Sequence, residues 1–543
     1  MKSRTASTIL AIGLAAPLLF AQQKPTAPFN DSIRHQRMRP DIQFLCSDHL
    51  KGRLTGTPEI SLAAEYIATR FARMELKPVG PGDSYYQPFA LLSATLGEGN
   101  RLETIAPSAS SSLAHSLAAG EEYYPLRFSA NATARGDVVF VGFGIRAEDY
   151  GDAVKGKIAL ALDHEPGEND PNSPFDGLIT SVASSQINKT LLAQRRGAIG
   201  ILFVSDIHNH PGLQDFEAAA RSFWPPEPPR IERWELADWV DQVRIPSAQI
   251  SVRLAEHLVQ PTGRALVDMA RASEGPVGSA RMAVPGAAVS LRVSVRRQTM
   301  MARNVLALIE GADPRLKDEW LIVSGHHDMN GFEGTQIQYG ADDNASGVAG
   351  VLAIGEAFAQ AAANGQRPKR SILFVSFDAE ERGPVSLGAW AYTERPLNPL
   401  AKTLAIINFD LIGRDEEVPE NGGPKFRGLP VQTAASNVNS INVLGLTRFP
   451  GLRAPIDAAN RPFGLKIKAD YDNNPSQLMR RSDQWPFINR GVPGLWFLTG
   501  LHPDYHTTND RPERLNYPKM ERIVRMTHQL LWQLANEGIT PAR

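Results

Sequence analysis

With one cysteine, Cys46, in 543 residues, the chain can form no intrachain disulfide and no cysteine-cluster metal site. Any metal must be held by histidines and carboxylates. Charge of one sign is also missing: 57 Lys and Arg stand against 58 Asp and Glu, a formal net charge of −1, which argues against a dominating basic surface for nucleic acid. Beyond residue 21 no stretch reaches about 20 apolar residues, so the sequence predicts no membrane insertion of the mature chain. Serine hydrolysis is disfavoured because no G-x-S-x-G elbow precedes a helix, and Cys46 has no identifiable histidine partner.

What is present is a globular composition, 42% hydrophobic and 21% charged, at a length that suits two to four domains of roughly 100 to 200 residues. Lys2 and Arg4 precede an apolar run from Ile9 to Ala21, and polar Gln22, Gln23 and Lys24 follow. That order is a signal peptide with cleavage after Ala21, which predicts a mature chain of residues 22–543 exported to the periplasm or the medium.

Apolar residues at helical spacing predict a helix over 61–76, followed by a strand over 85–94. The stretch before it, with Arg39 and Pro40, is read as a polar leader, and the Ala/Ser-rich 105–119 as a linker. Strands over 137–143, 157–162 and 199–204 with a helix over 185–196 suggest a small mixed domain inserted at 120–285. The remainder has α/β rhythm: strands over 304–309, 320–324, 371–377, 404–409 and 494–499, helices over 347–362 and 517–536. The expected fold class is α/β, a mixed and mainly parallel sheet covered by helices on both faces. Such sheets hold their sites beyond the carboxyl ends of the strands.

The polar residues fall where that rule puts a site. His326, His327 and Asp328 follow LIVSG, Glu380 and Glu381 follow SILFVSFDA, Asp410 ends IINFD, and His506 lies shortly after GLWFLTG. Asp342 and Asp343 precede the helix expected near Gly347. Singly, each piece has an ordinary explanation: adjacent acids before a helix are usually caps, and a histidine after a strand is usually a surface or core residue. Repeated at the ends of four strands, the acids would repel one another unless cations neutralised them. Imidazole and carboxylate donors suit zinc, with manganese or cobalt as substitutes.

The segments SGHHD (324–328), YGADDNASG (339–347), FVSFDAEERG (374–383), INFDLIGR (407–414) and HPDYHTTNDRPERLN (502–516) resemble, in order and spacing, peptidase family M28, the secreted di-zinc aminopeptidases with an inserted protease-associated domain. LCSDHLKGRLTGTPE (45–59) and VGFGI (141–145) resemble it too. The resemblance implies residues 22–119 and 286–543 as the peptidase domain and 120–285 as the protease-associated domain. It implies two Zn²⁺ per chain: His326 and Asp410 on one, Glu381 and His506 on the other, and Asp342 bridging, supported by Asp343 across a non-proline cis peptide. Asp328 would stand hydrogen-bonded behind His326 to set its tautomer, and Glu380 would carry the proton from the attacking water to the leaving amine. The implied activity is removal of N-terminal residues from peptides with a free N-terminus; the alternatives on the same fold are a carboxypeptidase, a dipeptidase and a glutaminyl cyclase-like enzyme. A receptor-like protein without activity is disfavoured because every ligand is retained. His327 and His502 are not expected to bind metal, Asp510 is expected to organise its loop, and Tyr505 either lines the pocket or packs. Gln484 departs from the family, where many relatives have histidine. His164, His208 and His210 are expected on loops, apart from the later motifs.

Overall fold

The computed structural model describes residues 26–105, 116–117, 119–212, 215–275, 280–382 and 386–539. The segment read as a signal peptide, and most of the Ala/Ser-rich linker, lie outside the described residues.

Two large sheets organise the described residues. The larger runs, edge to edge, Lys466–Lys468, Ser440–Leu444, Gly494–Leu498, Thr403–Phe409, Trp320–His326, Ser371–Phe377, Val295–Ile309, Tyr86–Leu96 and Glu235–Leu236. From Gly494–Leu498 to Ser371–Phe377 the four central strands are parallel, with Ser324 opposite both Val375 and Asn408, and Asn408 opposite Trp496. This register brings four carboxyl ends to one edge of the molecule.

The central strands are apolar on both faces, as a sheet covered by helices requires. Leu321, Val323, Phe374 and Ile407 pack with Ile42, Val351, Leu352, Ile523 and Leu530 from one helical layer, while Ile322, Leu373, Val375 and Ile406 pack with Tyr392 and Phe487 from the other. The first layer contains Gly347–Ala363, whose Gly350 lets the helix lie close to the sheet: a Cβ there would sit 3.0 Å from the Phe409 ring. The stretch Ala341–Ala363 is long and apolar enough to cross a membrane by composition, but the fold buries most of it in this core.

Pro58 starts the helix Pro58–Arg73 from its first turn, where a missing N–H costs nothing, which sets the start three residues before the predicted one. The supposed polar leader is in part a helix, His35–Leu45, that accommodates Pro40 and buries Met38, Ile42 and Leu45. Here tertiary burial outweighs the local signal of proline.

The smaller sheet is ordered Ser116–Leu117, Arg101–Ile105, Met282–Arg292, Thr133–Phe140, Ile158–Leu162, Gly200–Val204, Ser247–Ile250 and Tyr123–Pro125. Thr133–Phe140 through Ser247–Ile250 are parallel, and its core joins Phe140, Leu160, Leu202 and Leu254. All its strands fall between Tyr86–Leu96 and Val295–Ile309, which pair antiparallel from Leu96 with Val295 to Tyr86 with Val305. The intervening chain returns to the larger sheet at Glu235–Leu236 and touches it through Trp239 Nε1 donating to Glu394, Thr180 N to Gln477, and Arg230 to the Asn330 carbonyl.

Candidate metal centre

Beyond the carboxyl ends of the central strands, His326 closes its strand with no exposed surface. Its Nε2 lies 3.2 Å from Asp343 Oδ1, 3.5 Å from Asp410 Oδ1 and 4.0 Å from Glu380 Oε2. The other oxygen of Asp343 is 2.9 Å from His506 Nε2, which is 3.1 Å from Glu381 Oε1. Two triads result, His326–Asp343–Asp410 and Asp343–Glu381–His506, and they share Asp343.

The shared residue corrects the sequence reading, which put Asp342 between the sites. Asp342 turns away: its Oδ1 accepts from Gly413 N at 2.6 Å and Ser346 Oγ at 3.2 Å, and its Oδ2 lies 3.3 Å from His502 Nε2. The backbone at Asp343 is non-helical (φ −107°, ψ 89°), so successive side chains diverge, and the cis peptide joins Asp343 to Asn344 rather than Asp342 to Asp343. Asp510 holds this turn by accepting from both Asp342 N and Asp343 N. His502 touches Asp342 and joins neither triad; His327 faces Ser376 Oγ at 3.1 Å.

Asp328 Oδ1 is 3.5 Å from His326 Nδ1. Its carboxylate also accepts from Glu380 N at 3.0 Å and Glu381 N at 3.1 Å, fixing the backbone of the glutamate pair. Thr55 donates to Asp328 and to Asp378, and Arg53, fully buried, donates to the carbonyls of His327 and Gly340. The early segment thus braces two of the site's loops. Neither Arg53 nor Thr55 was singled out from sequence, although their motif was.

Asp410 is steadied by Ser482, whose hydroxyl donates to its Oδ2 at 2.6 Å and accepts from Asn408, itself bonded to Ser324. Gln484 is buried; it donates to the Met479 carbonyl and accepts from Asn408 at 3.4 Å, so it supports the Asn408–Ser482 chain rather than meeting a substrate. Tyr505 stacks on His506 with ring centroids 3.8 Å apart.

Six acids, Asp328, Asp343, Glu380, Glu381, Asp410 and Asp483, surround two imidazoles. Burial raises the Asp410 carboxyl to about 6 and that of Asp483 to about 8, His326 opposing in both. Burial likewise raises Glu380 well above the usual glutamate range, reinforced by Glu381 and Asp410 and opposed by His326. Burial opposes charge on Asp343 too, but the two imidazoles outweigh it and hold that carboxyl below its ordinary range. For His506 burial is outweighed by Glu381 and Asp343, and its imidazole is pushed up to about 10.

This donor set fits two cations. His326 Nε2, Asp410 Oδ1 and Glu381 Oε1 are buried without hydrogen bonds although charged neighbours lie close. Donor separations of 2.9 to 3.5 Å match the edge of about 3.3 Å in a tetrahedron whose ligands stand about 2.0 Å from zinc. Two distinct clusters consistent with a di-zinc arrangement are therefore present.

Comparison with known proteins bears on the same stretch. A probable glutamate carboxypeptidase of Arabidopsis thaliana is 28% identical over 407 residues, 70% of this chain and 51% of the relative. Transferrin receptor protein 2 of Mus musculus is 26% identical over 543 residues, 91% of this chain and 60% of that one. The chain thus spans 51% to 60% of the length of these relatives. Among solved structures, an aminopeptidase from Aneurinibacillus sp. strain AM-1 aligns with a TM-score of 0.47 at 18% identity, over 95% of this chain and 98% of that one. Residues 304–531 match the family described as Peptidase family M28, and that segment holds His326, Asp343, Glu380, Glu381, Asp410 and His506.

Proposed function

We propose that the chain is a metal-dependent aminopeptidase that hydrolyses the first peptide bond of substrates with a free N-terminus. The observation that carries this reading is the shared Asp343, which faces both triads while Glu380 stands 4.0 Å from the first. His326 and Asp410 would hold one Zn²⁺, Glu381 and His506 the other, and Asp343 both. When bound, such a pair polarises the scissile carbonyl and makes water nucleophilic near neutral pH. Glu380 Oε2 receives the proton of the attacking water and returns it to the leaving amine, a role that needs a carboxyl within reach of the reacting atoms and outside the ligand set. Asp328 orients that carboxyl through the backbone N–H groups of Glu380 and Glu381.

The cations around the His506 loop are already engaged within the protein, which leaves them less available to pair with a terminal carboxylate of a substrate. Lys425 donates to the carbonyls of Pro503 and Tyr505, and Arg414 and Arg514 both pair with Asp504. A carboxypeptidase reading is favoured by the likeness to a probable glutamate carboxypeptidase over 70% of the chain. A peptide library assayed with zinc, alongside N-blocked and C-amidated versions, separates the two: turnover that survives C-amidation and fails on N-blocking supports the aminopeptidase, and the reverse pattern overturns it.

Residues 120–285 are read as a protease-associated domain on the larger unit. Its contact at Thr180 with Gln477 lies near the turn that presents Ser482, which gives it a route to influence substrate selection. Residues 1–21 are read as directing export; N-terminal sequencing of the exported protein, with Gln22 expected first, tests that.

A further inference from the structure

We propose that His164, Glu168 and His210 form a third transition-metal site, a structural clip for Zn²⁺ on the smaller sheet. Three donors from two loops converge there: His164 Nδ1 is 3.1 Å from Glu168 Oε2, and His210 Nε2 is 2.5 Å from Glu168 Oε1. The first loop follows Ile158–Leu162 and the second follows Gly200–Val204, neighbouring parallel strands whose carboxyl ends point the same way. The donor atoms lie within 4.8 Å of one another, and small rotations of the half-exposed rings bring them to the spacing of about 3.3 Å that tetrahedral zinc requires.

One carboxylate is shared between two imidazoles. Glu168 Oε1 is buried and lies 2.5 Å from His210 Nε2. The two imidazole rings are 4.2 Å apart between centroids, so protonating both would place like charges in contact around one carboxylate. A divalent ion bound by two neutral imidazoles and the carboxylate removes that conflict.

The ligands are also held from behind, as a preorganised metal site requires. Glu274 accepts from Gly167 N at 2.7 Å and from Asn209 Nδ2 at 2.5 Å, joining the two loops. The Asp206 carboxylate accepts from His208 N and Asn209 Nδ2, and its carbonyl accepts from His210 N. Buried Lys189 Nζ donates to the carbonyl of His164 itself at 2.6 Å. Two histidines and one glutamate leave a fourth position to water on the exposed side.

The site is independent of the proposed peptidase centre, and zinc counting keeps the two apart. The full chain, the H164A/H210A double variant and E168Q are each equilibrated with excess Zn²⁺, passed through gel filtration and assayed for zinc per chain by elemental mass spectrometry. The unaltered chain is expected to retain one equivalent more than the double variant, with peptidase activity equal in the two, and E168Q is expected to lose the same equivalent. Crystals of the zinc-loaded chain should show an anomalous peak between the His164 and His210 rings. Equal zinc content in all three proteins, or no peak there, overturns the proposal. Failure of the peptidase centre to bind zinc would lower all three counts together and leave their difference readable.

Discussion

Both sheets set histidines and acids beyond the carboxyl ends of parallel strands, but at different depths. His326 has no exposed surface and the His506 side chain is 36% exposed, whereas the side chains of His164 and His210 are 43% and 47% exposed. In the buried cluster, water cannot relieve the repulsion among Asp343, Glu380, Glu381, Asp410 and Asp483, so the carboxyls either take up protons or acquire cations. In the exposed cluster solvent screens one acid and two imidazoles, so the need for a compensating ion is weaker. Depth, more than ligand type, decides whether a metal is an obligation of the fold or an addition to it.

The sharpest way to break this contrast is at Asp343. Asp343→Asn removes the carboxylate that faces both histidines, and should abolish stoichiometric zinc binding at the buried centre together with turnover. Asp342→Asn should weaken zinc binding far less, because its carboxylate bonds Gly413 N and Ser346 and no residue of either triad. Zinc titration of the two variants decides between them: if Asp342→Asn empties the centre and Asp343→Asn does not, the bridge is assigned to the wrong neighbour.

Glu380→Gln should come next, cutting kcat on the order of 10²-fold or more while both zinc ions stay bound. Glu381→Gln should instead lose zinc from the His506 side. Metal content that collapses in the first and survives in the second would exchange the roles of the pair.

How much of this was legible in sequence follows from the same physics. The apolar runs that become Trp320–His326, Ser371–Phe377 and Thr403–Phe409 are buried on both faces, so they stood out, and so did the polar residues at their ends. The choice between Asp342 and Asp343 was not legible, because it depends on Gly413 N, Ser346 and His502 capturing the first carboxylate from elsewhere in the fold. Pro40 concealed His35–Leu45, since the burial of Met38 and Ile42 is tertiary. His164 and Glu168 lie on one irregular loop and His210 on another, and the adjacency of two strands brings the loops together.

The smallest effect is expected beneath the exposed cluster, at Lys189, a buried cation that holds His164 by its carbonyl. Burial lowers its ammonium from 10.5 to about 8, while Asp163 and Glu165 oppose the shift. Between those two values the unfolded chain keeps the proton that the folded chain has released, so Lys189 makes stability rise as pH climbs through the window. Below it both states carry the charge, and the full cost of burying it is present. Lys189→Met has no such proton to release. Denaturant unfolding across pH 8 to 10.5 should therefore show the stability of the unaltered chain gaining on the variant by about 1 to 3 kcal/mol. A difference that stays flat, or falls, would mean that hydrogen bonds to the Leu162 and His164 carbonyls keep the ammonium charged, and that this side of the molecule tolerates buried charge better than the comparison with His326 implies.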